Sequence, residues 1–309
     1  MDKVKQMETF LAVSEEGSFS SAALREGVSA TIIARRITEL EQRLGAKLMH
    51  RSTRQLRLTE QGQRFAEECK RVLNDLELAE DSVKDSCQHA SGHLAVSAPA
   101  AFGRKHVAAH ASSFLQQHPQ VKLSFNLTDR VVDLVREGFH LGVRIGGSVD
   151  PNFVAIKLAA NRRVVCASPA YLARHGKPRS LDDLEQHRCL AFNFHGGQQG
   201  GWLFQQDGRP VTVRVRGSLD CNDSELLHRW CIEGLGLSWR STWEIQRELC
   251  DGTLVTVLDD YASASYDITA IYPQQRYLPA KIRLFIAHLK AAYAAEGYWT
   301  RPVPLTLAE

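Results

Sequence analysis

The stretch "VSATIIARRITELEQRLG", residues 28–45, constrains the chain more than any other. Ile33, Ile37, Leu40 and Leu44 follow one another at intervals of four, three and four residues. At about 100° per residue they form one helical stripe that core must cover. Thr31, Arg35, Thr38 and Gln42 fall on the opposite side, with Ala34 beside them. Ser29 stands where an N-cap belongs and Gly45 where a helix ends. Upstream, Phe10, Leu11 and Val13, with Met7 one turn earlier, form another apolar face. Gly17 stops that helix, Ser18 caps a short second one through Ala22, Ala23 and Leu24, and Glu26-Gly27 makes the turn into residues 28–45. Short helices joined by a tight glycine turn, the second with a polar outer face, predict a helix-turn-helix whose second helix can enter a major groove.

The distribution of charge supports this reading better than its total. A formal net charge of +3 over 309 residues says little about partners. Residues 35–58, however, carry seven cations against two anions, and residues 59–88 carry four against eight. A cationic field confined to helix and following hairpin is the footprint of phosphate contact. That hairpin, "KLMHRSTRQLRLT", alternates apolar and polar residues around Ser52-Thr53, so a two-stranded wing is expected. Arg51 and Arg54 would lie at its tip, in reach of a phosphate or a narrow minor groove.

Thr59 is then placed to cap a long helix running from Glu60 to about Cys87. Phe65, Cys69, Val72, Leu76, Ala79 and Val83 repeat at four and three residues, a heptad seam that calls for another helix. After a polar hinge at residues 88–93, strands and helices alternate: "HLAVSAP", "FGRKHVAAHASSFLQQHP", "VKLSFNLT", "RVVDLVREG" and "FHLGVRIG". This βαβαβ order predicts a parallel sheet with helical crossovers. A second set follows from "RRVVCASP", with a hairpin at Asp207-Gly208, the helix "SELLHRWCIEG" and the strand "LGLSW". The strand "YDITAIYP" and a helix from Pro279 to about Ala295 close the chain.

Other classes find no support. The seven cysteines are scattered without a CxxC pair, which predicts free thiols and marks no redox pair. No basic-then-apolar leader and no apolar run of membrane-spanning length is present, so a cytoplasmic protein with no membrane partner is expected. No nucleophile elbow, zinc-protease, P-loop or dinucleotide motif is present, and "GLGLSW" departs from a dinucleotide loop at its third position, so neither an enzyme nor a cofactor or metal site is expected.

The segment "FLAVSEEGSFSSAALREGVSATIIARRITELEQRLGAKLMHRSTRQLRLTEQG" resembles the N-terminal part of LysR-type transcriptional regulators. Downstream, "SAPAAFG", "LTDRVVDLVREGFHLGVRIG", "CASPAYLARHG" and "YPQQRYLPAKIRLFIAHLK" resemble the effector domain of the same family, so the likeness runs from residue 7 to about 298. It implies an α/β protein with a winged helix-turn-helix domain (1–58), a linker and dimerisation helix (59–88) and a two-lobed periplasmic-binding-protein-like effector domain (89–309). Lobe I would take about 92–161 and 266–309, and lobe II about 162–265. The partners implied are double-stranded promoter DNA, a small-molecule effector whose identity the sequence does not name, a twin chain through the linker helix in a dimer of dimers, and RNA polymerase. The alternative is a small-molecule receptor without a DNA role.

On this reading Ser18, Ser29, Ala30, Thr31, Ala34, Arg35, Arg36, Thr38, Arg51 and Arg54 meet DNA. Ala30, Thr31 and Ala34 replace the Gln, Pro and Ser usual in the family, and their methyl groups suit thymine methyls. Ligands of open α/β sheets bind beyond strand C-termini, which selects Ala100, Ala101, Phe102, Thr128, Arg144, Asn193, Phe194, His195 and Asn222 as effector contacts. The start of the helix at Ala100 is expected to favour an anion, although Ala100 and Ala101 stand where many relatives of the resembled family place a hydroxyl, which weakens a carboxylate-gripping role for this loop. Each has a structural alternative: Thr128 and Asn222 as strand-end or cap residues, His195 as a solvated loop residue, Arg144 as an ion-pair partner of Asp129 or Asp150. For Trp239 and Trp243, packing between lobes is favoured over closure on a ligand.

Overall fold

The N-terminal helices form where the sequence supplies caps. In the computed structural model, which describes residues 2–51, 56–84, 90–194, 197–198, 201–217, 219–262, 266–275 and 277–299, these are α1 (Lys3–Glu16), α2 (Phe19–Glu26) and α3 (Ala30–Leu44). Side-chain oxygens of Asp2, Ser18 and Ser29 accept from the first-turn amides of Val4, Ser21 and Ile32, and Gly17, Gly27 and Gly45 end the helices in the left-handed region. Phe10, Val13, Ala22, Ala23, Ile33, Ile37 and Leu40 share one core with Leu48 and Met49. Leu44 departs from the expected stripe: it is the last helical residue and is 37% exposed.

The buried position near that end is Glu41 instead. Its carboxylate accepts from Lys47 Nζ (2.6 Å) and from the amides of Leu48 (2.9 Å) and Met49 (3.3 Å), tying α3 to the wing. The wing pairs β1 (Met49–Arg51) with β2 (Leu56–Leu58) antiparallel, as expected. Thr59 Oγ1 then accepts from the Gly62 amide (2.9 Å) and donates to the Lys47 carbonyl (2.8 Å), capping α4 (Glu60–Lys84). Gly62 is required there, because a Cβ would stand 2.0 Å from the Leu48 carbonyl oxygen.

The heptad seam of α4 is not uniform: its first turns are covered by this chain itself and the described positions beyond them are exposed. Phe65 packs against Phe10 with tilted rings 5.4 Å apart, and Cys69 is buried in the same core, so the first turns belong to this chain's own helices. Val72 and Leu76 are 40% and 38% exposed, and Ala79 is exposed too. The side chain of Val83 and the helix end near Cys87 lie outside the described residues.

One compact unit gathers the described residues of Met1–His89 with Val132–His140 and Gln275–Ala280. In its second segment the expected helix "RVVDLVREG" shrinks to a single turn. Asp133 caps it, its Oδ1 accepting from Val135 and Arg136 amides (both 3.1 Å), and the Phe139 amide closes it on the Leu134 carbonyl (2.8 Å). Only Val132 and Leu134 are buried, a spacing of two that no helix face supplies, while Val131 is 78% exposed. Arg136 reaches back to Glu67 of α4 (2.5 Å).

The second unit holds two sheets. In the first, β3 (Gly92–Ala98) lies parallel to β4 (Val121–Leu127) and β5 (Leu141–Ile145), while β15 (Ile268–Pro273) runs antiparallel to β5 and to β6 (Phe153–Ala159). The strand order β4-β3-β5-β15-β6 is therefore mixed, not wholly parallel as expected, because the chain returns from the far end to fill the fourth place. The crossover after β3 is also not one regular helix. It passes from α5 (Ala100–Phe102) through a wide turn at Gly103–Val107 and a tight one at Ala108–His110 into α6 (Ala111–Gln117). At Gly103 a Cβ would fall 2.4 Å from Leu127 Cδ2, so the crossover lies directly on the sheet.

The second sheet has the order β12-β8-β13-β7-β14, from β7 (Arg163–Ala167), β8 (Cys189–Phe194), β12 (Asp220–Cys221), β13 (Leu237–Ser241) and β14 (Val255–Val257); β9 (Gly197–Gln198) pairs with β8. α7 (Pro169–His175), α8 (Ser224–Ile232) and α9 (Thr242–Asp251) pack around it, and α10 (Ala280–Ala294) ends the fold. The hairpin β10 (Trp202–Gln206) to β11 (Arg209–Val213) turns at Asp207 and Gly208, both at positive φ as its twist demands. Val165 and Ala167 face one core of this sheet, and Val164 and Cys166 the other. Cys166 and Cys231 lie with sulfurs 3.9 Å apart, a proximity the sequence did not mark.

Hydrogen bonding to Cys231 and burial push the Cys166 thiol well above its ordinary value, and burial pushes Cys69 and Cys189 up to about 12. Thiol labelling of the native protein, read by mass spectrometry of peptides, is therefore expected to modify exposed Cys250 first and to leave Cys69, Cys166, Cys189 and Cys231 until unfolding. For Glu41, burial acts to raise the carboxyl, and Lys47 with the Leu48 and Met49 amides outweighs it, holding the pKa below the ordinary glutamate value. Its stabilisation is complete above that value and is lost as pH falls through the lower folded value. Glu41→Ala should destabilise the N-terminal unit by about 2 kcal/mol at neutral pH and flatten its acid limb in denaturant melts.

Candidate functional site

Of the predicted DNA contacts that α3 and its cap supply, all but one lie on or beside its outer face. Ala30, Thr31 and Arg35 are exposed, Ser29 caps the helix, and Ala34 and Thr38 are half-buried, the Thr38 hydroxyl donating to the Ala34 carbonyl (2.9 Å). Arg35 keeps 68% of its side chain exposed beside Glu39 at 3.6 Å. Arg36, grouped with these residues in the sequence, instead turns inward. It pairs with Glu26 at 2.6 Å and donates to Thr9 Oγ1 at 3.1 Å, and only 15% of its side chain is exposed. One position along a helix is about 100° of rotation, which carries Arg36 to the flank of the buried Ile33–Ile37 stripe. Ser18 caps α2 and donates to Ser21 Oγ (2.7 Å). The side chain of Arg51 and all of Arg54 lie outside the described residues.

Several predicted effector contacts have structural roles in the second unit. The Ala100 amide donates to Asp129 Oδ1 (3.0 Å), so the helix start expected to attract an external anion is served by the chain's own carboxylate. Burial, with Glu244 and Asp223 nearby, raises that carboxyl. Ala101 is buried, and Phe102 is fully buried with its ring edge-on to Trp243 at 5.0 Å, so both leave the contact set. Thr128 Oγ1 accepts from the Arg130 amide (3.2 Å) in a local turn. Arg144 donates to the carbonyls of Val143 (2.8 Å) and Ser97 (3.3 Å) and to Ser97 Oγ (3.3 Å), bracing the ends of β3 and β5. Asn222 is exposed, and the cap of α8 is its neighbour Asp223, which accepts from Glu225 and Leu226 amides (2.8 and 2.9 Å). Asn193 and Phe194 end β8 with side chains outside the described residues, as is all of His195.

Both tryptophans join elements of the two sheets, in keeping with the packing role favoured for them. Trp243 meets Phe102 and His106, and Trp239 stands edge-on to Tyr266 at 5.5 Å. Burial, then Lys105 and His110, push His106 down to about 4, so it packs as a neutral ring. Arg104 pairs with Glu225 at 3.2 Å across the same junction.

Sequence reasoning missed the charged groups at this junction. Arg240 pairs with Glu244 at 3.1 Å and donates to the Ser224 carbonyl at 2.6 Å, while Ser224 Oγ donates to Glu244 at 2.7 Å. Burial acts to raise Glu244, and Arg240 and Arg163 together hold it below its ordinary value. The guanidinium of Arg163 lies 4.4 Å from the Trp239 ring centroid and 5.3 Å from that of Tyr266. Period-two alternation could have found Arg163, since it shares the inward register of Val165 and Ala167. A separate groove of about 540 Å³ runs between α6 and α10, lined by Ser113, His118, Leu284 and His288 among others.

Residues 4–63 match the bacterial regulatory helix-turn-helix protein family, lysR type, and residues 88–294 match the LysR substrate binding domain. The HTH-type transcriptional regulator DmlR of Escherichia coli (strain K12) is 36% identical over 295 residues, spanning 96% of this chain and 95% of that protein. The activator TtdR of the same strain is 32% identical over 287 residues, 93% of this chain and 92% of that one. Among solved structures, the full-length Vibrio cholerae virulence activator AphB, a member of the LTTR protein family, superposes with a TM-score of 0.61 at 28% identity, covering 94% of this chain and all of its own. An N-terminal helix-turn-helix with a capped polar face, a long helix after its wing and an effector-type α/β region place this chain in the LysR family of transcriptional regulators, a family of DNA-binding proteins and not of enzymes.

Proposed function

We infer that α3 reads promoter DNA through Thr31 and Arg35 in the major groove, with Ala30 and Ala34 offering methyl contacts, Thr38 at the far end, Ser18 and Ser29 near phosphates, and Arg51 and Arg54 of the wing on the backbone. The observation that carries this reading is the opposition on one helix of exposed Thr31 and Arg35 to fully buried Ile33, Ile37 and Leu40. The working unit is a dimer joined along the outer half of α4, assembled as a dimer of dimers, and its meeting with promoter DNA and RNA polymerase makes it cytoplasmic. The domain scheme is 1–58 for DNA, 59–88 for pairing and 89–309 for the effector. A small molecule between the two lobes acts only by its differential affinity for two arrangements of them. The receptor-only alternative is set aside, since homology runs through the helix-turn-helix as well as the effector region.

Titration of promoter and scrambled DNA across a salt series tests the groove assignment. Arg35→Ala should lower discrimination by about tenfold, a loss of one good base contact, whereas Arg54→Ala should weaken both DNAs alike and reduce the salt slope. Equal losses on both DNAs for Arg35→Ala would remove its base-reading role. For pairing, Val72→Glu with Leu76→Glu should shift the sedimentation of the full chain toward a monomer. Sedimentation unchanged from that of the native chain would place the pairing surface elsewhere.

A further inference from the structure

Few polar side chains enter the core of the N-terminal unit, and those that do converge on α3. Among the described residues of 2–84, the buried polar side chains are Gln6, Thr9 and Glu41. Glu41 belongs to α3 itself, while Gln6 and Thr9 lie one turn apart on α1, and each meets an arginine of α3. Arg43 Nε donates to Gln6 Oε1 (3.0 Å), and Arg36 donates to Thr9 Oγ1 (3.1 Å). Arg36 and Arg43 are seven residues apart, which returns a helix to within about 20° of the same face. The two contacts are therefore rungs between one face of α1 and one flank of α3, beside the stripe of Ile33, Ile37 and Leu40.

The rung at Arg36 also holds α2. Glu26, the last residue of that helix, accepts from Arg36 (2.6 Å) and pairs with Lys5 of α1 (3.2 Å). Burial acts to raise the Glu26 carboxyl, and Thr9, Lys5 and Arg36 outweigh it, so it stays charged to below the ordinary glutamate value. All three helices thus meet at one guanidinium.

Apolar burial and these polar contacts constrain different things. Covering Ile33, Ile37 and Leu40 decides which face of α3 turns inward, but that force is non-directional. Hydrogen bonds weaken steeply away from their preferred distance and angle, and a hydroxyl or amide left unpaired in a core is costly. Two such contacts, separated by about 10 Å of helix, fix both the position of α3 along its axis and the angle at which it crosses α1. One alone would leave a pivot.

We propose that the Thr9–Arg36–Glu26 and Gln6–Arg43 rungs set the position of the recognition helix, so that these five side chains are positioning residues for base reading by Arg35 and Thr31. The assignment rests on the reading that α3 enters the major groove. Gln6 and Thr9 are buried and cannot touch DNA, so any effect they have on recognition passes through α3.

The test is titration of the full chain with a duplex from its own promoter region and with a scrambled duplex of the same length, at a temperature where circular dichroism shows each variant folded. Gln6→Leu with Thr9→Val removes both acceptors and leaves the outer face of α3 unaltered. Discrimination between the duplexes should fall about fivefold or more, with the salt slope unchanged because no phosphate contact is removed. Thr9→Ser, which keeps the hydroxyl, should discriminate as the native chain does. In an Arg35→Ala background the double variant should cost less than in the native one, since the contact it misplaces is already gone. A folded double variant with native discrimination, whatever its melting temperature, reduces the rungs to packing and overturns the proposal. So does an equal loss on both duplexes, a loss in Thr9→Ser as large as in the double variant, or a loss that adds in full to that of Arg35→Ala. If Arg35→Ala lowers discrimination and the double variant does not, only the rungs fail. If Arg35→Ala leaves it unchanged, the groove reading fails and the proposal with it.

Discussion

Covering the stripe of Ile33, Ile37 and Leu40 is the constraint from which the N-terminal unit follows. These three side chains are fully buried, and α1 supplies Phe10 and Val13 while α2 supplies Ala22 and Ala23 to bury them. Because one side of α3 is committed in this way, the other side is left to solvent with whatever residues the sequence places there. Each large core side chain contributes about 1.5 to 3 kcal/mol when fully removed from water. That is ample to hold three short helices that would be marginal in isolation. The polar face of α3 is thus displayed by its own core, and Glu41 fixes the helix to the wing through two backbone amides.

The same core explains why α4 cannot be read as one uniform seam. Phe65 and Cys69 complete the burial of α1, and Thr59 and Gly62 join the start of α4 to the strand before it. The heptad spacing continues past this point without interruption, yet Val72 and Leu76 have no such cover. A repeat of four and three residues states that a helix has an apolar seam. It does not state whose side chains fill it.

In the second unit the decisive interactions are electrostatic. Arg163, the Arg240–Glu244 pair and Asp129 come from three separate stretches of the chain and meet near one another, with Arg163 set against the rings of Trp239 and Tyr266. Among the loop residues chosen for their place after a strand, Thr128 accepts a backbone amide in a turn and Phe102 packs between the sheets, while the cap of α8 falls to Asp223, the neighbour of Asn222. Polar and small residues at strand ends satisfy local donors first. A cation in the inward register of a strand has no such local partner, and its role depends on what the fold brings opposite to it.

The sequence by itself determined the helix limits in the N-terminal unit, the wing, the turn at Asp207-Gly208 and the alternation of strands and helices, because caps, glycines and hydrophobic periods act over a few residues. Arg35 was legible for the same reason, standing opposite an unbroken apolar stripe. Only the tertiary structure decided that Arg36 turns to Glu26, that Asp129 occupies the start of α5, that residues 130–138 make one turn and not a helix, and that the first sheet is mixed. It alone placed Arg163 against Trp239 and Tyr266. Each of these depends on which distant segment arrives alongside. Burial and charge compensation between residues ten to more than a hundred positions apart are set by the packing of whole elements, which no local pattern encodes.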